Sequence, residues 1–246
     1  MFKTAITSYL KAHKYTHISL KSVLFDMDGV LFDSMPNHAG AWHKATEQNG
    51  LHLSREEAFL HEGRTGAGTI NIICQRQWGR DATREEIETI YRQKSLEFNK
   101  YPEALQMKGS LEVLNKLKTN GLFAMLVTGS GQESLLERLN SNFPDIFKPG
   151  LMVTAFDVKH GKPHPEPYLM AMDKGNLKAN ECIVIENAPL GVQAAVAAGI
   201  FTVAVNTGPL DDRVLLDAGA NLLFPSMSAL ADNWEKFSET LKNTHL

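Results

Sequence analysis

Two aspartates, Asp26 and Asp28, follow the short apolar run Val23-Leu24-Phe25 and precede Gly29. At a strand end, a spacing of two lets both carboxylates point to one side. Adjacent carboxylates repel unless a cation or a shared proton compensates. Magnesium prefers hard oxygen ligands, and Asp26, the backbone carbonyl of Asp28, and Asn187 or Glu186 could supply them. Asp26 could then attack phosphorus and form an aspartyl-phosphate. Asp28 could protonate the leaving oxygen and afterwards activate water. In Thr128-Gly129-Ser130, the Thr128 hydroxyl and the amides near Gly129 could hold phosphoryl oxygens, and Lys162 could neutralise them as charge develops.

These residues serve one reaction only if the fold gathers them. Apolar runs predict strands at 22–25, 122–127, 151–154, 182–185 and 202–205, with a sixth at 222–224. Helix-like stretches lie between them at 110–120, 133–140, 167–174, 190–198 and 213–218. Strands alternating with helices imply an α/β class with a parallel sheet covered on both faces. Ligands of such sheets bind beyond the carboxyl ends of the strands. Asp26 and Asp28 end the first strand, Thr128-Gly129-Ser130 the second, and Glu186-Asn187 the fourth, while Lys162 follows the third.

Residues 36–103 break this rhythm. Ser54 to Glu57 and Thr83 to Glu86 both fit a capping box, and no strand is evident. The segment is expected to be an all-helical insert. The core is then 22–35 plus 104–246, and 1–21 is a short helical or frayed N-terminal extension.

Other motifs are weaker. Asp26-Met27-Asp28-Gly29 resembles the opening of a calcium loop, but Val30 and Leu31 stand where an acid and a glycine are needed. Gly129 to Ser134 lacks the third glycine of a dinucleotide fingerprint, and Gly63 to Thr69 lacks the lysine of a P-loop.

Composition bounds the alternatives. Of 246 residues, 43% are hydrophobic and 22% charged, enough for a sizeable core. A net charge of −3 offers no global attraction for nucleic acid, so an anionic substrate needs local cations or a metal. The 2 cysteines, Cys74 and Cys182, have no partner spacing, which fits a reducing cytoplasm. No apolar run spans a membrane, and 1–21 lacks the apolar centre of a secretory signal. A cytoplasmic monomer acting on a small anionic phosphate substrate is expected.

Phe25-Asp26-Met27-Asp28-Gly29-Val30-Leu31-Phe32-Asp33-Ser34 closely resembles the first motif of the haloacid dehalogenase (HAD) superfamily. Thr128-Gly129-Ser130, Lys162 and Glu186-Asn187 resemble its second, third and fourth motifs, and the stretch from Val184 to Val192 resembles the beta-phosphoglucomutase-like group. The resemblance implies a Rossmann-like core, a mobile helical cap inserted after the first motif, Mg2+, and a nucleophile and acid/base pair at Asp26 and Asp28. It also implies a cap-hinge histidine at His38.

Two departures bear on substrate. The group's mutases carry a lysine, then an arginine four residues on, to grip a second phosphate; here those positions are Glu62 and Gly66. Asn187 replaces the usual second acid of the fourth motif. A carboxylate at position 62 would repel a bare phosphosugar, but it helps if it binds a metal travelling with the substrate. His61-Glu62-Gly63-Arg64-Thr65-Gly66 with Asn187 resembles the inorganic pyrophosphatase members of the group. That resemblance implies a metal ligand at Glu62 and a phosphate contact at Arg64. The expected activity is hydrolysis of pyrophosphate or of a small phosphate ester. The alternatives are a beta-phosphoglucomutase, a general sugar phosphatase and a non-catalytic phosphate sensor, which has no need of a carboxylate nucleophile.

Overall fold

The computed structural model describes residues 2–131 and 135–246. In chain order its elements are α1 (Phe2–His13), β1 (Ser22–Phe25), α2 (Met35–Gln48), α3 (Arg55–Leu60), α4 (Gly66–Trp78), α5 (Arg84–Phe98), α6 (Ser110–Thr119), β2 (Phe123–Val127), α7 (Leu135–Asn142), β3 (Met152–Val153), α8 (Glu166–Gly175), β4 (Cys182–Glu186), α9 (Pro189–Ala197), β5 (Phe201–Val205), α10 (Asp212–Asp217), β6 (Leu222–Phe224) and α11 (Met227–Asn243). The strands form one parallel sheet in the order β3-β2-β1-β4-β5-β6. The fold is α/β, as predicted. The chain leaves β1 towards β2 and β3, then returns to β4 on the other side. The crevice created by that reversal lies at the carboxyl end of β1, where Asp26 stands.

β1, β4 and β5 are buried along their whole length, which is why each reads as an unbroken apolar run. Alternate side chains serve opposite faces. Val23, Phe25, Ile183, Ile185, Val203 and Val205 join one core with residues of α1, α6, α7 and α11, whereas Leu24, Met125, Val184 and residues of α8 and α9 join the other.

Three sequence expectations change in detail. β3 is only Met152–Val153, because a 3-10 turn at Pro149–Leu151 consumes the start of the apolar run. The helix expected over 133–140 is seen as Leu135–Asn142, its first residues lying outside the described ones. The N-terminal stretch takes the helical of its two expected forms over Phe2–His13, but packs into the core where a mere extension was expected. Phe2, Ile6, Tyr9 and Leu10 of α1 lie on one stripe and are buried against the sheet, each contributing roughly 1.5–3 kcal/mol of apolar burial. The Tyr9 hydroxyl donates to Gly199 O at 2.8 Å.

Helices α2–α5 close around their own cluster, which includes Leu53, Ile70, Ile73, Cys74 and Ile90. Thr83 forms the full capping box expected, with Glu86 N donating to its hydroxyl at 3.2 Å and Thr83 N donating to Glu86 Oε2 at 2.7 Å. At Ser54 only half of the box forms. Glu57 N donates to Ser54 Oγ at 3.0 Å, but the Glu57 carboxylate turns away to bind Arg76. The two linkers between this unit and the sheet run side by side, with Asp33 N donating to Leu105 O at 2.9 Å and Met107 N to Leu31 O at 2.8 Å. Among the described residues no helix is long and apolar enough to cross a membrane.

Candidate active site

Asp26 sits one residue past β1, with its amide donating to Ile185 O of β4 at 3.1 Å. The loop that follows is tight: Leu31 N and Phe32 N both donate to Met27 O, and Gly29 takes a φ of 81°. Only glycine adopts that backbone cheaply, and a Cβ there would also strike the Asn187 side chain. Gly29 therefore lets the first and fourth strand ends meet.

Lys162 points inward from the loop before α8. Its Nζ donates to Asp26 Oδ1 at 2.5 Å, to Glu186 Oε1 at 2.6 Å and to Val127 O at 3.0 Å, so it ties β1, β2 and β4 together. Burial works against its charge, yet Asp26 and Glu186 hold its pKa well above the usual lysine value. Burial raises the Asp26 carboxyl to about 7, opposed by Lys162 and reinforced by Glu186 and Asp28.

Asp28 is held differently. Ser34 Oγ donates to its Oδ1 at 2.5 Å, His38 Nε2 lies 3.2 Å from the same oxygen, and Ser130 Oγ donates to Oδ2 at 2.9 Å. Burial pushes this carboxyl up, but His38 and the two hydroxyls outweigh it and keep it below the ordinary range. Thr128 is buried, and its hydroxyl accepts from Ser130 N at 3.0 Å.

Glu186 corrects an expectation. Its oxygens accept from Lys162, from the Tyr168 hydroxyl at 2.9 Å, and from the amides of Asn187 and Ala188 at 2.9 and 3.0 Å. A carboxylate offers roughly four lone-pair sites, so none is left for a metal. Glu186 positions Lys162 instead.

From the helical unit, Glu62 on the loop between α3 and α4 reaches the same rim. Asn187 Nδ2 donates to its Oε1 at 3.0 Å and Oε2 at 3.1 Å. Burial, then the nearby charge of Asp26, raises the Glu62 pKa well above the carboxylate norm. Close packing accompanies the contact: a Cβ on Gly129 would lie 2.8 Å from Gly63 O. The helical unit is therefore closed onto the sheet, over a cavity of about 70 Å³. Asp26, Asp28, His38, Glu62, Arg64, Thr128, Gly129 and Ser130 all line it. Arg64 is only part-buried, and its Nε has no partner among the described residues.

Sequence reasoning missed Lys94. Its Nζ donates to His38 Nδ1 at 2.8 Å, and it is buried in the cavity wall. A signal existed, since Lys94 falls on the apolar stripe of α5 with Ile87, Ile90 and Tyr91. Tyr168, the other side-chain partner of Glu186, carried no signal beyond an aromatic in a predicted helix.

The donor set suits a divalent cation. Asp26, Asp28, Glu62 and Glu186 crowd together with Lys162 as the one ammonium in direct contact among the described residues. Asn187 Oδ1 is buried without a hydrogen-bond partner there, an orphan oxygen on the amide whose Nδ2 binds Glu62. Asp26, the Asp28 carbonyl, Asn187 and Glu62 are the groups free to hold such an ion.

Residues 23–205 match the model of the haloacid dehalogenase-like hydrolases. The chain belongs to that family. This HAD-like hydrolase is similar to hexitol phosphatase A of Escherichia coli, at 30% identity over 76% of this chain and 83% of that protein. It is also similar to a phosphorylated carbohydrates phosphatase of Thermotoga maritima, at 29% identity over 82% and 92%. Among solved structures, a protein of Bacteroides vulgatus provisionally called a beta-phosphoglucomutase is 65% identical, covers 98% of each chain and superposes with a TM-score of 0.96. The structural neighbours of the HAD-like hydrolase are thus beta-phosphoglucomutase-like, and its sheet is the Rossmann-like core of the family.

Proposed function

We propose that this protein is a magnesium-dependent phosphohydrolase acting through an aspartyl-phosphate on Asp26, with inorganic pyrophosphate as its preferred substrate. The observation that carries the substrate choice is the Glu62–Asn187 contact, 3.0 and 3.1 Å from one amide nitrogen to two carboxylate oxygens. It puts a carboxylate where a phosphosugar-binding cap needs a cation. A small, metal-laden polyanion tolerates that charge, whereas a bare sugar phosphate does not.

Asp26 attacks phosphorus, and the bond to the leaving oxygen breaks as the bond to Asp26 Oδ forms. Lys162, fixed by Glu186, stays against Asp26 and offsets charge on the transferring group, while Thr128, Ser130 and the Gly129 amide face its oxygens. Asp28 then takes the proton of the water that splits the acyl phosphate. Its depressed pKa suits a base more than an acid, and a departing phosphate needs less protonation than a sugar alkoxide. Magnesium, when bound by Asp26, the Asp28 carbonyl, Asn187 and Glu62, would screen the carboxylates from the incoming phosphoryl group. Residues 36–103 serve as a cap that keeps bulk water out during transfer.

A sugar-phosphate substrate is the second reading, favoured by the hexitol and carbohydrate phosphatases among the relatives. The Bacteroides vulgatus structure keeps a mutase in view. Phosphate release from pyrophosphate, hexose phosphates and phosphonates, with and without Mg2+, separates them. We expect pyrophosphate to lead by at least tenfold in kcat/KM and to require magnesium. Preference for a hexose phosphate would favour the second reading, and interconversion of hexose 1- and 6-phosphates without net release would indicate a mutase.

A further inference from the structure

We propose that His160, His164 and Glu166 form a second cation site, for a borderline divalent ion such as zinc, on the outer side of the loop that carries Lys162. Each residue offers one ligand atom, and the three atoms lie within 4.8 Å of one another. His160 Nδ1 is 2.8 Å and His164 Nδ1 3.9 Å from Glu166 Oε2, and the two rings are 4.8 Å apart. Tetrahedral zinc, with bonds of about 2.0–2.2 Å, sets neighbouring ligand atoms roughly 3.3 Å apart. The two nitrogen–oxygen separations bracket that value; His164 Nδ1 now accepts from Glu166 N at 3.2 Å, so that bond gives way, or the ring turns to present Nε2, as the ion enters.

The carboxylate is already oriented for the task. Lys159 N donates to Glu166 Oε1 at 2.8 Å and His160 N to Oε2 at 3.0 Å. Outer partners of this kind fix a ligand's direction. The Lys159 amide, then the His160 side chain and amide, hold the Glu166 carboxyl below its usual range and therefore charged. Two imidazoles and one carboxylate leave a fourth position for water, a set that suits zinc, nickel or copper and not magnesium. The site is thereby chemically distinct from the all-oxygen rim around Asp26.

Its position gives it a consequence. His160 and His164 stand two residues to either side of Lys162. The histidine side chains are 65% and 52% exposed, that of Lys162 only 1%. An ion here would clip both ends of the loop to the first turn of α8 from the solvent side. It would do so beside an open cleft of about 530 Å³ shared with Arg64 and Thr65 of the helical unit. The fold holds the three ligands near the spacing the ion needs, so the ion favours the native state to the extent that it binds there more tightly than to the same short stretch unfolded.

The test is a zinc titration of the full chain in saturating Mg2+, read by calorimetry and by thermal shift. It compares the native protein with His160→Gln, His164→Gln and the double variant. We expect the native protein to bind one zinc ion more than the double variant and to show a zinc-dependent rise in Tm that the double variant lacks. Each single variant should bind zinc at least tenfold more weakly, which keeps the comparison independent of how well the double variant folds. Magnesium-dependent phosphate release without zinc should be unchanged in all three. Equal zinc stoichiometry and affinity in native and variant proteins would overturn the proposal.

Discussion

Lys94 of α5 donates to Nδ1 of His38 in α2 at 2.8 Å, which leaves the ring proton on Nε2, 3.2 Å from Asp28 Oδ1. Burial, then the charge of Lys94, lowers the His38 pKa, which favours the neutral ring. The ammonium thus sets the tautomer that steadies the carboxylate assigned as acid/base. Burial itself lowers Lys94 to about 8. As pH rises through that value the ammonium is lost, and kcat/KM should fall with it. Lys94→Met should cost roughly tenfold or more in kcat/KM and remove the alkaline limb near pH 8. Superimposable pH–rate profiles would show that Lys94 has no part in the reaction.

Glu62→Lys should abolish pyrophosphate hydrolysis, because an ammonium beside Asn187 would displace the cation that we propose Glu62 helps to hold. Glu62→Gln, which keeps the shape, should raise the magnesium concentration needed for half-maximal rate. Both are read from phosphate release across a magnesium series. Unchanged turnover in Glu62→Lys would remove the substrate assignment and leave the nucleophile untouched.

Gly129→Ala tests closure. The new methyl would meet a backbone carbonyl, Gly63 O, at 2.8 Å, and neither partner is a flexible side-chain end. We expect kcat/KM to drop by up to about 100-fold, since small misplacements at a reacting centre are costly. Tm should be unchanged, because the clash is with the helical unit and not within the sheet. A matching loss of Tm would mean that the residue matters for folding instead.

Glu86 gives a pH signature of the helical unit. The Arg80 side chain, then the Thr83 amide, lower its pKa from 4.5 to about 2. A carboxyl depressed in the folded state contributes stability that is present above 4.5 and lost as pH falls through about 2. Glu86→Gln should therefore lower Tm slightly at pH 7, the ion pair being at the surface and screened by solvent, and the difference should close below pH 2. A difference that persists in acid would point to the shape of the capping box, not its charge.

What the sequence disclosed follows from how local each signal is. β1, β4 and β5 are buried on both faces, so their apolar runs were plain, and Asp26, Thr128 and Asn187 were placed by standing just beyond strand ends. The Thr83 box was legible because both of its bonds are made within one turn. The Ser54 box failed because Glu57 is claimed by Arg76, nineteen positions on, a contact no local rule contains. Glu186 was misassigned for the same reason. Its role depends on Lys162 and Tyr168, which arrive from 24 and 18 residues away. Lys94 is a residue type that is mostly solvated, and only its place on the apolar stripe of α5 marked it.

The nucleophile is the centre of the account, and trapping it is the most direct measurement. Protein mixed with pyrophosphate and Mg2+ should be quenched in acid during turnover, digested and examined by mass spectrometry. The peptide containing Asp26 should carry one phosphoryl group, and Asp26→Asn should show neither that adduct nor turnover. An unmodified Asp26 peptide under single-turnover sampling, together with an Asp26→Asn variant that works at full rate, would contradict it.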